Sequence, residues 1–250
     1  MKKKFAIVVV FVMTYFGFLI ATLPATLLFN QVSLPKNISV SGVSGSIWQT
    51  NIAQIIIDEV VINQLSMELS FWSLFTLSPS LPVTFGDSFL AGPEGELDIT
   101  LSQEKIEVDN LRLFIKANEI TQQLTLPLPI SAQGDVELTL HHAAIDIEDN
   151  NKCITANGLV TWSKAGVIAL DENIKLGDFD AEISCQDGAL ALLLSPENDL
   201  GITLNAYVRQ SGRISGSGFL KPGAKFPAEL SSALPFLGRK DNKGRYRLSF

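Results

Sequence analysis

Cys153 and Cys185 are the only cysteines in the 250-residue chain, and His141 and His142 are the only histidines. Two thiols can bridge, hold a metal or carry out redox exchange. No Cys-x-x-Cys occurs, and neither histidine stands at ligand spacing from a thiol, so a structural disulfide is the stronger reading. Closing the loop between the two cysteines stabilises a fold by roughly 3–4 kcal/mol on the chain-entropy account. His141 and His142 sit in an alternating segment. Adjacent strand residues point to opposite faces, so the two imidazoles do not form one ligand set. Spacing alone does not exclude a histidine–carboxylate–nucleophile constellation, because triads assemble in space. Yet the chain holds no Gly-x-Ser-x-Gly elbow, no His-Glu-x-x-His and no dinucleotide fingerprint. Asp171-Glu172 lies in turn-like sequence, and Asp58-Glu59 follows Ile55, Ile56 and Ile57 beside a strand. The segment 41–48 contains Gly42 and Gly45 but lacks Lys-Ser/Thr and a following helix, so it is not a phosphate loop. Its expected structure is a tight turn leading into a strand whose Trp48 packs in the core. The expectation is a non-enzymatic protein with no catalytic residues, no cofactor and no metal.

The elements that position these residues begin with a membrane signal. The chain carries 19 Lys+Arg against 26 Asp+Glu, a net charge of −7, and its mean hydropathy is +0.26. That hydropathy suggests one membrane segment attached to a folded domain. Disorder is excluded by the apolar content, and nucleic-acid binding by the lack of a basic surplus. From Phe5 to Leu23 there is no charged side chain, enough for a helix of about 28 Å. Lys2, Lys3 and Lys4 precede it, and the positive-inside rule keeps them cytoplasmic. A cleaved signal peptide is the alternative. Cleavage after Ala25 or Ala21 would put Leu23 or Leu19 at the −3 position, where a small residue is wanted, so an uncleaved anchor is expected. The expected organisation is a cytoplasmic tip over 1–4, an anchor over 5–23, a connector over 24–37 and an exported, acidic β-rich domain over 38–250. Export to an oxidising compartment permits the disulfide.

Beyond residue 38 alternation dominates. In 134–140, Val136, Leu138 and Leu140 share a face, continued by Ile145 and Ile147. In 95–101, Leu97, Ile99 and Leu101 do the same. Further strands are expected over 105–108, 111–116, 154–162, 180–185, 189–194, 202–210 and 213–220. Asp109-Asn110, Asp187-Gly188, 195–199 and Ser211-Gly212 are read as their turns. One apolar face per strand calls for an antiparallel sheet that packs on another layer or curls. Residues 226–237 predict one short helix, with Pro227 in its first turn and Gly238 at its stop. The aromatic segment 71–75 is read as core or sheet-capping, with an exposed interaction patch or membrane-interface anchor as the alternative, and 126–129 as a connector. The alternating end, 246–250, is read as a last strand of the sheet. An outer-membrane barrel is disfavoured by the anchor and by strands shorter than a barrel needs.

An ordered set of segments resembles the type II secretion system protein N family, also called general secretion pathway protein N. The set comprises the anchor, Gly42 and Gly45 with Trp48, Cys153 with Gly158 and Trp162, Leu176-Gly177, Cys185 with Gly188, and Pro227, Gly238 and Gly244. The resemblance implies a bitopic inner-membrane accessory of the apparatus that moves folded proteins from the periplasm across the outer membrane. Its implied partners are other inner-membrane subunits, including the protein C type that contacts the secretin. The family is similar to AsmA-like proteins, whose curved sheets form an apolar groove. The fold class expected is therefore mainly β: one transmembrane helix, then an antiparallel, curved sheet (groove or sandwich) with one short C-terminal helix. Membrane lipid is an expected neighbour, and a phospholipid a possible ligand.

Overall fold

The structure, a computed structural model, describes residues 2–29, 35, 37–71, 73, 78–122, 130–149, 151–169 and 172–249. Trp72, Phe75, Asp171, Phe250 and the connector 126–129 lie outside them. A 20-residue helix, α1 (Lys2–Ala21), opens the chain. Its side chains from Phe5 onward are exposed on every side. The apolar run continues to Leu23, but the helix stops at Ala21. Pro24, which has no N–H to donate, ends the segment. Among the described residues, no helix is long and apolar enough to cross a membrane. A single turn, α2 (Ala25–Phe29), follows.

Thirteen strands then form one antiparallel sheet whose spatial order equals chain order. They are β1 (Ile38–Ser46), β2 (Gln49–Ile57), β3 (Val60–Glu68), β4 (Ser80–Phe85), β5 (Glu94–Leu101) and β6 (Lys105–Lys116). After α3 (Ala117–Gln122) come β7 (Ile130–Asp146), β8 (Lys152–Ala169), β9 (Glu172–Gln186), β10 (Ala189–Leu194), β11 (Ile202–Val208) and β12 (Ile214–Leu220). A 3-10 helix (Ala228–Leu237) precedes β13 (Tyr246–Ser249). The expected C-terminal helix is thus in place, between Pro227 and Gly238, but it winds as a 3-10 helix with Pro235 inside. Among the described residues there is one sheet, so the two-sheet sandwich is not the arrangement found, and β13 pairs with β12 alone.

Alternation causes the strands. In β9, Ile174, Leu176, Phe179, Ala181 and Ile183 are buried, while Lys175, Asp178, Asp180 and Glu182 are exposed. Period-2 patterning of this kind hides one face of a sheet and wets the other. The apolar face gathers into two clusters. One joins Ala165, Ile174, Leu176 and Phe179 to Leu220 and Tyr246, with Leu230 and Leu234 of the 3-10 helix packed against it. The other joins Leu140, Ala143 and Ile183.

Several expected boundaries are corrected. Asp109-Asn110 is not a hairpin turn: Asn110 has φ 53° inside the continuous strand β6. The segment 134–140 and the start of the next, 144–146, join in β7, which is 17 residues long, with His141 at a register shift, while Ile147 and Glu148 lie in the turn after it. β6, β7, β8 and β9 are 12, 17, 18 and 15 residues long, so strand length does not disfavour a barrel. A bulge adds one residue and inverts the alternation, which reads in sequence as a break. Asp187-Gly188 and Ser211-Gly212 do form turns, and Asp58-Glu59 is the turn between β2 and β3.

Cys153 and Cys185 are bonded, with Cα atoms 5.6 Å apart, tying the start of β8 to the end of β9. The C153A/C185A variant should lose roughly 3–4 kcal/mol of stability. Denaturant titration of the detergent-solubilised chain measures it, and an unshifted midpoint would exclude a stabilising role. Asp241 sets the entry to β13. One carboxylate oxygen accepts the backbone N–H of Lys243 (2.8 Å) and of Arg245 (2.9 Å), and the other accepts Arg245 Nε (2.9 Å). These donors, the Arg245 backbone N–H first, hold the Asp241 carboxyl below the ordinary aspartate value. A lowered folded-state pKa stabilises above the unfolded value and is lost as pH falls through the folded one. Protection of the Arg245 amide should therefore fall on acidification below the ordinary aspartate range, and Asp241→Asn should abolish that dependence.

Candidate functional site

The chemistry-bearing residues do not converge. His142 Nδ1 lies 2.7 Å from Asp109 Oδ1 across β6 and β7, a surface pair. Among the described residues, no group of three or more His, Cys, Asp or Glu could hold a metal ion. The candidate sites are therefore surfaces, and the sheet register defines them.

One row of directly opposed residues runs Leu113, Leu138, Val160, Ala181, Leu194, Leu204, Gly218 and Leu248, from β6 to β13. A second runs Leu111, Leu140, Gly158, Ile183, Leu192 and Ala206. Opposed residues of an antiparallel pair share a face, so both rows lie on one apolar surface. Gly158 fits there because a Cβ would come within 2.6 Å of the Thr139 carbonyl oxygen. Trp162 stacks on Phe179 with ring centroids 5.5 Å apart, and its Nε1–H donates to the Gln133 carbonyl (2.9 Å). The 3-10 helix covers this surface at one set of strand ends. At the other, Leu190, Leu192, Val208 and Ile214 stay 38%, 37%, 42% and 61% exposed. Ile145 and Ile147, expected to face inward, are also half open to solvent.

The opposite face is polar. Lys116 pairs with Asp135 and Arg112 with Glu96, and Thr161 donates to Asp180. Pairing holds the Lys105 and Lys116 ammonium groups above the ordinary lysine value, through Glu107 and Asp135 respectively. Exposed pairs of this kind add little stability and are screened by salt.

The junction between α1 and the sheet is the second surface. Trp48 does not enter the sheet core. It sits in the β1–β2 turn and donates its indole N–H to the Ile20 carbonyl (3.0 Å), one of the last carbonyls of α1, which have no partner inside the helix. Its ring meets Phe71 edge to face at 5.3 Å. The Ile47 N–H donates to the Leu23 carbonyl (3.0 Å), and Pro24 bridges to Ser46. Gly17, Ile20, Ala21, Trp48 and Phe71 line an apolar pocket of about 420 Å³. Gly42 and Gly45 lie within β1, at φ 67° and 87°, rather than in the expected turn. A Cβ on Gly42 would stand 2.5 Å from that of Ala53. The signal for this junction was the amphipathic indole itself, whose polar edge needs an acceptor. Gly188 forms the β9–β10 turn beside Lys152, and Gly244 lies in the loop before β13.

Trp48→Phe keeps a ring against Phe71 but deletes the hydrogen bond to Ile20, a loss of about 1 kcal/mol. Amide exchange at Ile47 should accelerate about fivefold in Trp48→Phe and further in Trp48→Ala. Unchanged exchange in both variants would remove Trp48 from the junction.

Residues 36–249 match the family described as type II secretion system (T2SS), protein N. The type II secretion system protein N of Aeromonas hydrophila is 30% identical over 254 residues, covering 100% of this chain and 98% of that protein. The protein of the same name from Vibrio cholerae is 24% identical, covering 90% of this chain and 88% of that protein. The Klebsiella pneumoniae protein is 28% identical, covering 98% and 94%. No solved structure matches the chain. A match that spans the whole sheet, joined to full-length relatives of one name, means that the chain belongs to the type II secretion system protein N family.

Proposed function

We propose that this protein is a non-enzymatic accessory subunit of the type II secretion system, held in the inner membrane by α1. In this reading, 1–4 is a cytoplasmic tip, 5–23 the anchor, 24–37 the connector and 38–250 a periplasmic domain. The observation that carries it is α1 in a chain of this family: Phe5, Phe11 and Met13 are 73%, 69% and 72% exposed. A helix apolar all round needs an apolar surrounding. The uncharged run 5–23 would span about 28 Å as a helix, close to the hydrocarbon thickness, and Lys2, Lys3 and Lys4 favour a cytoplasmic start. The family residues Gly42, Gly45 and Trp48 then act at the joint between anchor and sheet. The partners are other inner-membrane subunits of the machine, the protein C type among them.

A second reading is a lipid-binding module, with the apolar face curled into a groove. The half-open side chains Leu190, Leu192, Val208 and Ile214 favour it. Native mass spectrometry of the mildly extracted chain separates the two, because only the second predicts a co-purifying phospholipid. For the first, deletion of the gene should leave folded cargo in the periplasm or weaken assembly of the machine. Restoration by the full chain, but not by one lacking 1–23, is expected. Normal secretion and normal assembly in the deletion strain would exclude a required role.

A further inference from the structure

Charge is divided along this sheet in a way the total conceals. Residues 209–250 carry nine Lys/Arg and two Asp/Glu, whereas residues 5–208 carry seven and 24. Because strand order equals chain order, the basic stretch is gathered at one edge. There Asp241 is occupied by Arg245 (2.8 Å), and Lys225 by Asp199 of the β10–β11 connection (3.1 Å). Lys221, Arg239, Lys240, Lys243 and Arg247 are exposed and make no ion pair among the described residues. Lys240 instead lies over the ring of Tyr246, and Arg245, besides its pair with Asp241, over that of Phe219. Phe236, at the end of the 3-10 helix, is 90% exposed.

The same edge offers backbone. β13 pairs with β12 on one side only among the described residues, and the outward N–H and C=O groups of an edge strand are a template for another strand. We propose that the β13 edge and the basic loop before it dock an acidic, extended segment of a partner protein, which adds as the next strand of the sheet. A short cationic edge repels indiscriminate pairing, and the same charges admit a strand that brings carboxylates. An anionic lipid surface would use the cations but leave the edge unpaired. A second copy could offer its other edge, β1, but that strand, Ile38–Ser46, carries no charged side chain, and its Ser46 end is occupied by Pro24. The inference holds wherever α1 resides.

The test uses the full chain in phosphatidylcholine nanodiscs and a fluorescein-labelled peptide of alternating valine and glutamate. Fluorescence anisotropy should show binding that weakens with salt. It should be about tenfold tighter than for the valine–lysine peptide and about tenfold weaker for the R239Q/K240Q/K243Q/R247Q variant. N-methylating alternate amides of the peptide should cost a similar factor, because it blocks strand pairing without touching the protein. Equal binding of both peptide signs, or of the N-methylated peptide, overturns the proposal. So does peptide binding that the variant leaves intact while capture of phosphatidylglycerol vesicles is lost, which would make the edge a lipid contact. Salt-sensitive self-association abolished in the variant would make the occupant a second copy and overturn it equally.

Discussion

Much of this fold depends on keeping one apolar face continuous from β6 to β13. Side chains alternate with a period of two, so a slip of one residue sends a whole strand's apolar set to the wrong side. β6 and β7 meet this constraint with paired irregularities. In β6 the apolar positions are Ile106 and Val108, then Leu111 and Leu113; in β7 they are Leu138 and Leu140, then Ala143. Each strand absorbs one extra residue, Asn110 and His141, and the register places these opposite one another between the Asp109–His142 and Leu111–Leu140 pairs. The two shifts cancel between β6 and β7 and appear only toward β5 and β8. The apolar rows therefore pass through unbroken.

That device also explains which elements are legible in the sequence. Strands with clean alternation, such as 95–101, were legible, and so were the turns at Asp187-Gly188 and Ser211-Gly212. Asn110 was misread because a left-handed asparagine has the same local conformation in a turn as in a bulge; only the partner strand distinguishes them. Trp48 was misplaced for a related reason. Large aromatics belong in cores by area alone, but the indole N–H needs an acceptor, and the end of α1 supplied a nearby carbonyl. The disulfide was legible by elimination, since two thiols with no ligand neighbours had little else to do. The surfaces were less so, because burial along a strand depends on what covers it, and the 3-10 helix covers only one set of strand ends.

Chain-order topology has a further consequence for electrostatics. In folds with crossovers, sequence-local charge is dispersed through the structure. Here, successive strands about 4.8 Å apart place the first and last strands on the order of 60 Å apart along the sheet. That is several Debye lengths at physiological salt, about 8 Å each. Even β9, which carries Asp178, Asp180 and Glu182, stands four strands or roughly 19 Å from β13, more than two Debye lengths, so the basic edge is neutralised chiefly by contacts such as Lys225–Asp199.

The two ends of the sheet are thus unlike in a physically meaningful way. At the start, Pro24 bridges to Ser46 at the end of β1, the Ile47 N–H donates to the Leu23 carbonyl and the Trp48 indole donates to the Ile20 carbonyl, which fastens the first hairpin to α1. At the finish, β13 is short, follows a basic loop and pairs on one side only among the described residues. A sheet that needed only to shield its own apolar face would gain from blunting both edges alike. Fastening one and charging the other gives the molecule a direction: an attachment to α1 at its first strand, and at its last an edge that, in the docking proposed for β13, would take specificity from charge and affinity from main-chain pairing.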